Sequence, residues 1–225
     1  MTIIVFAKVP RAGSVKTRLS PPFTPEQAAA FYGAMLSDVL DTTGGIAQAL
    51  GLAPVVAIHP WEQRGELARL VPKAFRMVPQ RGSNLGARME RAVGEAAAAG
   101  HRRILVRGSD NPTLGRDAVS AALETLAERE LVLQPDADGG YGLVGLRDPC
   151  PGLFDHPMST RGVLEATLEN ARRHGLCAHV GDSGFDIDVA GDLRRLADLE
   201  RRALSATCSR TLAFLDENAL WPPGS

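Results

Sequence analysis

The 225-residue sequence predicts an α/β fold with a mostly parallel, mixed sheet flanked by helices. Three observations predict it. Short apolar, β-branched runs alternate with longer amphipathic stretches. Several of those stretches carry helix-start and helix-stop residues at their ends. The spacing also leaves room for a helical crossover between successive strands, which in a parallel pair is right-handed.

Thr2–Ala7 reads as a buried first strand, and Lys8–Pro22 as a loop rich in proline, glycine and basic residues. Thr24 suits the cap of the next helix, Pro25 its first position and Gln27 the far side of a capping box. Gly44-Gly45 is expected to end that helix after about Thr42. Val55–Ile58 reads as the second strand, Glu62–Leu70 as a short helix and Ala74–Val78 as a third, edge-like strand. Asn84–Ala99 reads as a helix with Leu85, Met89 and Val93 on one face and Gly100 past its end. Arg103–Arg107, Glu130–Gln134, Tyr141–Leu146 and Cys177–Val180 complete the strands. Asp117–Glu128, Gly162–Arg173, Ala190–Arg202 and Ser205–Glu217 complete the helices. No linker, repeat or low-complexity tract divides residues 1–225, so one domain is expected, with a frayed tail from about Asn218 to Ser225.

Hydrophobic residues make up 44% of the chain and charged residues 23%, with a net charge of -1, so no basic excess points to a nucleic-acid partner. The apolar run Ile3–Ala7 is too short for a signal segment or a membrane span, and no run of about 18 apolar residues follows. A cytoplasmic enzyme without membrane contact is expected. Cys150, Cys177 and Cys208 are widely spaced with no CxxC pair, which reads as three ordinary thiols. The oligomeric state stays open.

Ligands of such sheets sit at the carboxyl ends of the strands, so the informative loops follow Ala7, follow Arg107 and surround Asp138. The first places Lys8, Arg11, Lys16 and Arg18 around Gly13. The chain has only three lysines, Lys8, Lys16 and Lys73, and two lie here. Backbone N–H groups and cations on a glycine-containing loop suit a triphosphate, although a solvated basic loop is the plainer alternative. A P-loop is excluded, because its two glycines would fall at Arg11 and Val15.

Gly108-Ser109-Asp110-Asn111-Pro112 presents a carboxylate just past a buried strand, where a hard divalent cation would take carboxylate and phosphate oxygens. An ordinary turn aspartate is the alternative. Asp136-Ala137-Asp138-Gly139-Gly140-Tyr141 lets backbone approach a ligand closely, or simply makes a hairpin turn. Phe185-Asp186-Ile187-Asp188 puts two carboxylates on one face of an extended segment. Helix capping is the alternative there, and the better reading of Asp192. Asp186 is assigned to capping or to support of Asp188.

Together with Leu85-Gly86-x-Arg88-Met89 and Met158-Ser159-Thr160-x-x-Val163-Leu164, these segments resemble the rSAM/selenodomain-associated transferase family 1, from about Thr2 to Leu196. That family is similar to the GT-A nucleotide-diphospho-sugar transferase fold, with relatives among the 2-phospholactate and molybdenum-cofactor guanylyltransferases. The resemblance implies a metal-dependent transferase that uses a nucleotide. Carried onto this chain, it implies Lys16, Arg18 and Asp110 as catalytic and Asp110 and Asp188 as ligands of Mg²⁺ or Mn²⁺. Ala7, Lys8, Gly13, Lys16, Thr17, Arg18, Gly86, Arg88 and Ser109 would bind the nucleotide. Asp138, Gly139, Gly140, Tyr141, Ser159 and Thr160 would face a small acceptor. Gly142 stands where the family usually has an aromatic residue and Met158 where tryptophan is frequent, so acceptor identity does not carry over.

The expected reaction is nucleotidyl transfer from a nucleoside triphosphate with release of pyrophosphate. Glycosyl transfer from a nucleotide sugar is the alternative, and a non-catalytic nucleotide-binding module the further one. Two carboxylates held close without a cation repel, so Asp110→Asn is expected to raise the stability of the ligand-free protein or leave it unchanged.

Overall fold

In the computed structural model, which describes residues 1–158, 160–199 and 204–222, the first strand organises the rest. β1 (Thr2–Lys8) is buried from Thr2 to Val5 and again at Ala7, and its side chains alternate between two helical layers. Ile3 and Val5 face the side packed by α1 (Pro25–Leu50), α4 (Arg116–Glu128) and α7 (Ser209–Glu217). Ile4 faces the side packed by α3 (Leu85–Ala98) and α5 (Val163–Arg173). A strand apolar on both faces belongs at the centre of a covered sheet, and β1 pairs there in parallel with both neighbours.

The seven strands run in the order β3-β2-β1-β4-β6-β5-β7. These are β2 (Ala53–His59), β3 (Arg76–Pro79), β4 (Ile104–Arg107), β5 (Leu131–Pro135), β6 (Tyr141–Leu146) and β7 (Ala178–Val180). Only β6 runs against its neighbours: Arg107 of β4 pairs with Leu143, and Leu133 of β5 with Val144. The reversal has a functional consequence. The start of β6 lies on the same sheet edge as the ends of β1, β4, β5 and β7, so every loop singled out above opens on one side. The predicted mostly parallel, mixed sheet is present.

Several boundaries differ from the sequence reading. Thr24 and Gln27 form the expected capping box, with Gln27 N–H donating to Thr24 Oγ1 at 3.1 Å and Thr24 N–H to Gln27 Oε1 at 2.9 Å. α1 nevertheless runs through Gly44-Gly45 to Leu50. Burial of Ile46 and Ala47 holds this last stretch helical, and Gly44 lets Phe75 pack close, where a Cβ would stand 3.3 Å from the ring. The stop is Gly51, in the left-handed region at φ 67. The Glu62–Leu70 helix shrinks to a 3-10 turn at Trp61–Gln63 and α2 (Arg64–Leu67), and β3 starts two residues later than expected. Leu85, expected in the core with Met89 and Val93, is instead 42% exposed.

Of the predicted Ala190–Arg202 helix, α6 (Ala190–Ala197) forms before a turn at Asp198, and residues 200–203 lie outside those described. α7 begins at Ser209 rather than Ser205 because the buried Asp38 carboxylate accepts from the N–H groups of Arg210 and Thr211, at 3.1 and 2.7 Å, and so fixes the helix start. Leu220 and Trp221, placed by the sequence in a frayed tail, pack against the core, and the Trp221 indole donates to Asp216 at 2.7 Å. Residues 223–225 of that tail lie outside those described. The three cysteines are free thiols. Among the described residues no helix is long and apolar enough to cross a membrane.

Candidate active site

The basic loop after β1 is anchored by Val9, Val15, Leu19 and Phe23, all buried, so its backbone is fixed against the core while Arg11, Thr17 and Arg18 stay exposed. Its glycine, Gly13, takes φ 73, a left-handed turn that glycine adopts without strain. Lys16 also lies in the left-handed region, at φ 48, which turns its side chain back under the loop. That side chain is only 3% exposed, and its ammonium touches two carboxylates: Asp110 Oδ1, and Asp188 Oδ1 at 2.9 Å. Burial alone would lower the Lys16 pKa; the two aspartates outweigh it and lift the group above the ordinary lysine range.

Asp110 and Asp188 are 78 positions apart in sequence, and two features bring them together. The fully buried Arg107 donates to Thr43 Oγ1 at 3.0 Å and to the Asn111 carbonyl at 2.8 Å, fixing the loop after β4. Ile187 N–H then donates to the Asp110 carbonyl at 2.9 Å and docks the 186–188 segment on that loop. Asp192 accepts from the N–H groups of Asp188 and Val189, each at 2.9 Å, which is the capping role read for it. Asp186 does not cap. It faces inward with Asp136, and each has a buried Oδ1 without a hydrogen-bond partner. Burial and the nearby Asp138, Asp110 and Asp188 carboxylates push Asp136 up to about 7. Burial, Asp110 and Asp136 likewise raise Asp186 well above the usual carboxylate range.

A cleft of about 420 Å³ opens beside this cluster. Ala7, Lys8, Arg88, Ser109 and Asp110 line it from the predicted nucleotide side, and Asp138, Gly140 and Tyr141 from the predicted acceptor side. A second groove, about 860 Å³, shares Asp138, Gly140 and Asp186 with the first and adds Arg18, Gly139, Thr160, Arg161, Asp188 and Arg195. The guanidinium of Arg195 rests over the Phe185 ring, 4.6 Å from its centroid. Arg18 is 69% exposed, with Nη1 4.0 Å from Asp188 Oδ2.

Not every predicted residue reaches this space. Gly13 and Thr17 are exposed on the basic loop and line neither cavity, and Ser159 lies outside the described residues. Arg11 points away and pairs with Glu66, Nε to Oε2 3.0 Å. Gly86 is buried, and a Cβ on it would stand 2.3 Å from the Phe154 carbonyl oxygen, so close helix packing accounts for it. Gly86→Ala is therefore expected to destabilise the fold by about 1–3 kcal/mol, with nucleotide affinity little changed. An unaltered denaturation midpoint with lost nucleotide binding would return Gly86 to the ligand. Gly139, at φ 92, has the same kind of reason, since its Cβ would fall 2.0 Å from the Arg161 carbonyl oxygen. The Tyr141 hydroxyl is engaged with Thr167 Oγ1 at 3.2 Å, so the tyrosine presents its ring to the cleft. Asp138 spends one oxygen on the Gly140 N–H at 3.0 Å.

Sequence reasoning missed two positioning residues. The buried Tyr32 hydroxyl accepts from Lys8 N–H at 2.9 Å and meets Ser109 Oγ at 2.8 Å, tying α1 to both strand ends. Gln80 donates its amide hydrogens to the Ala7 and Ala57 carbonyls, at 3.1 and 2.9 Å, closing the β1–β2 end of the cleft. Neither sits in a motif; only the strand order makes them neighbours of the site.

The donor set suits a hard divalent cation. Asp110 and Asp188 converge on one point, and the buried Oδ1 atoms of Asp136 and Asp186 nearby have no hydrogen-bond partner. Among the described residues no three His, Cys, Asp or Glu side chains form a ready-made cage, so a cation there would complete its shell with substrate oxygens and water.

The profile of the DUF2064 family, described as uncharacterized proteins conserved in bacteria, matches residues 42–160. The 2-phospho-L-lactate guanylyltransferase of Methanothermobacter thermautotrophicus is 26% identical over 196 residues, 82% of this chain and 79% of that protein. The phosphoenolpyruvate guanylyltransferase of Chloroflexus aggregans is 31% identical over 129 residues, 56% of this chain and 63% of that protein. A crystal structure of a candidate nucleotide-diphospho-sugar transferase from Desulfovibrio desulfuricans G20 superposes with a TM-score of 0.86 at 28% identity, covering 98% of this chain and 97% of that one.

Proposed function

The chain belongs to the DUF2064 family, and from that premise and the cleft geometry we propose that it is a nucleotidyltransferase that uses a nucleoside triphosphate, GTP first among them, and a small acceptor carrying a phosphate. The observation that carries this reading is the convergence of Lys16, Asp110 and Asp188 on the carboxyl edge of the sheet, where Asp110 lines the cleft and Asp188 the adjoining groove. The two guanylyltransferase relatives support the choice of donor and of a phosphorylated carboxylate as acceptor.

In this reading an acceptor phosphate oxygen attacks the α-phosphorus, a new P–O–P linkage forms, and the α–β bond breaks to release pyrophosphate. An acceptor phosphate is already anionic, so the protein needs no general base. Its task is to hold two polyanions together and to offset their charge. Ala7, Lys8, Arg88 and Ser109 line the donor side. Arg18, Arg161 and Arg195 are the cations of the adjoining groove, set among its aspartates, and would meet the acceptor phosphate. Asp110 and Asp188 would hold a divalent cation, Mg²⁺ or Mn²⁺, which supplies Lewis-acid neutralisation of phosphate charge. Asp138 and the Gly139-Gly140 backbone form the wall between the two spaces.

Glycosyl transfer is the second reading, favoured by the close superposition on the Desulfovibrio protein. One assay separates the two. With Mg²⁺, the four common nucleoside triphosphates and either 2-phospholactate or phosphoenolpyruvate, pyrophosphate release is expected, fastest with GTP. Release of a nucleoside diphosphate from sugar nucleotides, with no pyrophosphate from any triphosphate, would establish the glycosyltransferase instead. Nucleotide binding without turnover of any donor would make the chain a binding module.

A further inference from the structure

Lys16 stands where a phosphate-binding lysine has no need to be. Its ammonium is buried between the two carboxylates best placed to hold a metal, and its side chain is 3% exposed while each of theirs is 37% exposed. A divalent cation on those same oxygens would lie against the ammonium and be repelled by it. We propose that Lys16 is the resident counter-ion of the acidic site before metal binds, that an arriving divalent cation displaces it, and that the released ammonium then turns to the phosphates of the nucleotide.

Three features of the chain support an exchange rather than a fixed salt bridge. The loop that carries Lys16 is anchored through Val15 and Leu19, its buried neighbours, whereas Gly13, Ser14, Thr17 and Arg18 are exposed, so the chain on either side of Lys16 lies at the surface. Lys16 alone leaves the site under-compensated, because its single ammonium faces two carboxylates, those of Asp110 and Asp188. A doubly charged ion answers that excess better than one ammonium does. Asp110 also lines the main cleft, so an ammonium leaving it stays beside the space assigned to the triphosphate.

The exchange predicts opposite signs for two affinities. Free metal binds only the fraction of molecules from which Lys16 has withdrawn, so removing the ammonium raises apparent metal affinity by the inverse of that fraction. If the fraction is about one in ten, Lys16→Met binds free Mn²⁺ about ten-fold more tightly than the wild type. The same substitution is expected to weaken Mn·GTP binding by about ten-fold, through loss of a charge-assisted phosphate contact. Electron paramagnetic resonance of free Mn²⁺ and calorimetry with GTP read the two separately. Free Mn²⁺ affinity that is unchanged or lower in Lys16→Met overturns the proposal.

The wild-type protein offers a second measurement that needs no variant. Only Lys8, Lys16 and Lys73 carry side-chain amines, and Lys8 and Lys73 are exposed, so amine labelling followed by mass spectrometry resolves each one from the others and from the Met1 amine. Lys16 is expected to label far more slowly than Lys73 in the free protein and to speed up when Mn²⁺ alone is added, with Lys73 unaffected. Lys16 labelling that Mn²⁺ leaves unchanged or slows overturns the displacement. Adding GTP is expected to protect Lys16 again. That last step alone rests on the nucleotidyl-transfer reading, so release by metal without protection by GTP overturns the phosphate destination while the displacement stands.

Discussion

Replacing Asp110 by asparagine is expected to lower turnover with saturating donor and acceptor by on the order of 10²–10³, the scale of losing one preorganised electrostatic element from a transfer site. Stability should move as well, and in the direction opposite to the one read from sequence. Two bare carboxylates would gain from neutralising one of them. Here Lys16 lies between Asp110 and Asp188 with almost no solvent contact, so Asp110→Asn removes half the compensation of a buried ammonium. Losing one partner of a fully buried pair costs about 3–5 kcal/mol; with the carboxylates partly open to water and Asp188 still in place, about 1–2 kcal/mol is the expected loss. Asp188→Asn should behave alike. The double variant separates activity from stability. Its turnover should be little worse than either single variant, since both residues serve one function. Its stability should fall by more than the sum, because the second substitution strands Lys16 without a carboxylate. Chemical denaturation of the four proteins beside the pyrophosphate assay measures both. Single variants as stable as the wild type, or more so, would remove Lys16 from the role of counter-ion.

The fold was legible where local chemistry and tertiary demand agree. Thr24 and Gln27 cap α1 by hydrogen bonds a short peptide could make, and the apolar run of β1 can only be a central strand. Legibility failed where a distant partner overrode the local signal. Gly44-Gly45 reads as a stop, but Phe75 packs on Gly44 and the sheet buries Ile46, so α1 continues for another six residues, Gly45 to Leu50. The sequence pattern starts the last helix at Ser205, yet the Asp38 carboxylate, far back on α1, places the start of α7 at Ser209. The site divides in the same way. Residue type and position past a strand single out Asp110, the family resemblance adds Asp188, and the structure brings the two together. Their mutual partner was assigned to phosphate, because a loop sequence says nothing of the left-handed backbone that turns Lys16 inward. Asp136 and Asp186 share their motifs with Asp138 and Asp188, and the sequence favours the latter two as site residues. Alternation along an extended segment cannot say which face is buried.

That burial of Asp136 sets up the second large effect, a stability that declines as pH rises. An unfolded aspartate titrates near 3.9, whereas folded Asp136 holds its proton up to about 7. Below about pH 4 the group is protonated in both states and contributes nothing. Between the two values the unfolded chain releases a proton that the folded chain keeps, so raising the pH favours unfolding until the folded carboxyl ionises too. The full penalty at pH 8 is at most about 4 kcal/mol, from roughly three pKa units at about 1.4 kcal/mol each. Burial is its first cause and the Asp138, Asp110 and Asp188 charges its second, with Arg195 opposing. Asp136→Asn keeps the shape of a side chain that lies against Gly142, where a Cβ would meet its oxygens at 3.1 and 3.2 Å, and removes the charge. In EDTA the variant is expected to match the wild type near pH 4 and to exceed it by up to about 4 kcal/mol at pH 8. Some slope should remain in the variant, since Asp186 is raised by the same surroundings. Added Mg²⁺ should flatten the wild-type slope, because a cation among these carboxylates stabilises their ionised forms. Parallel pH profiles for wild type and variant in EDTA would mean that Asp136 titrates normally, and that the acidic cluster stores no charge for a cation to relieve.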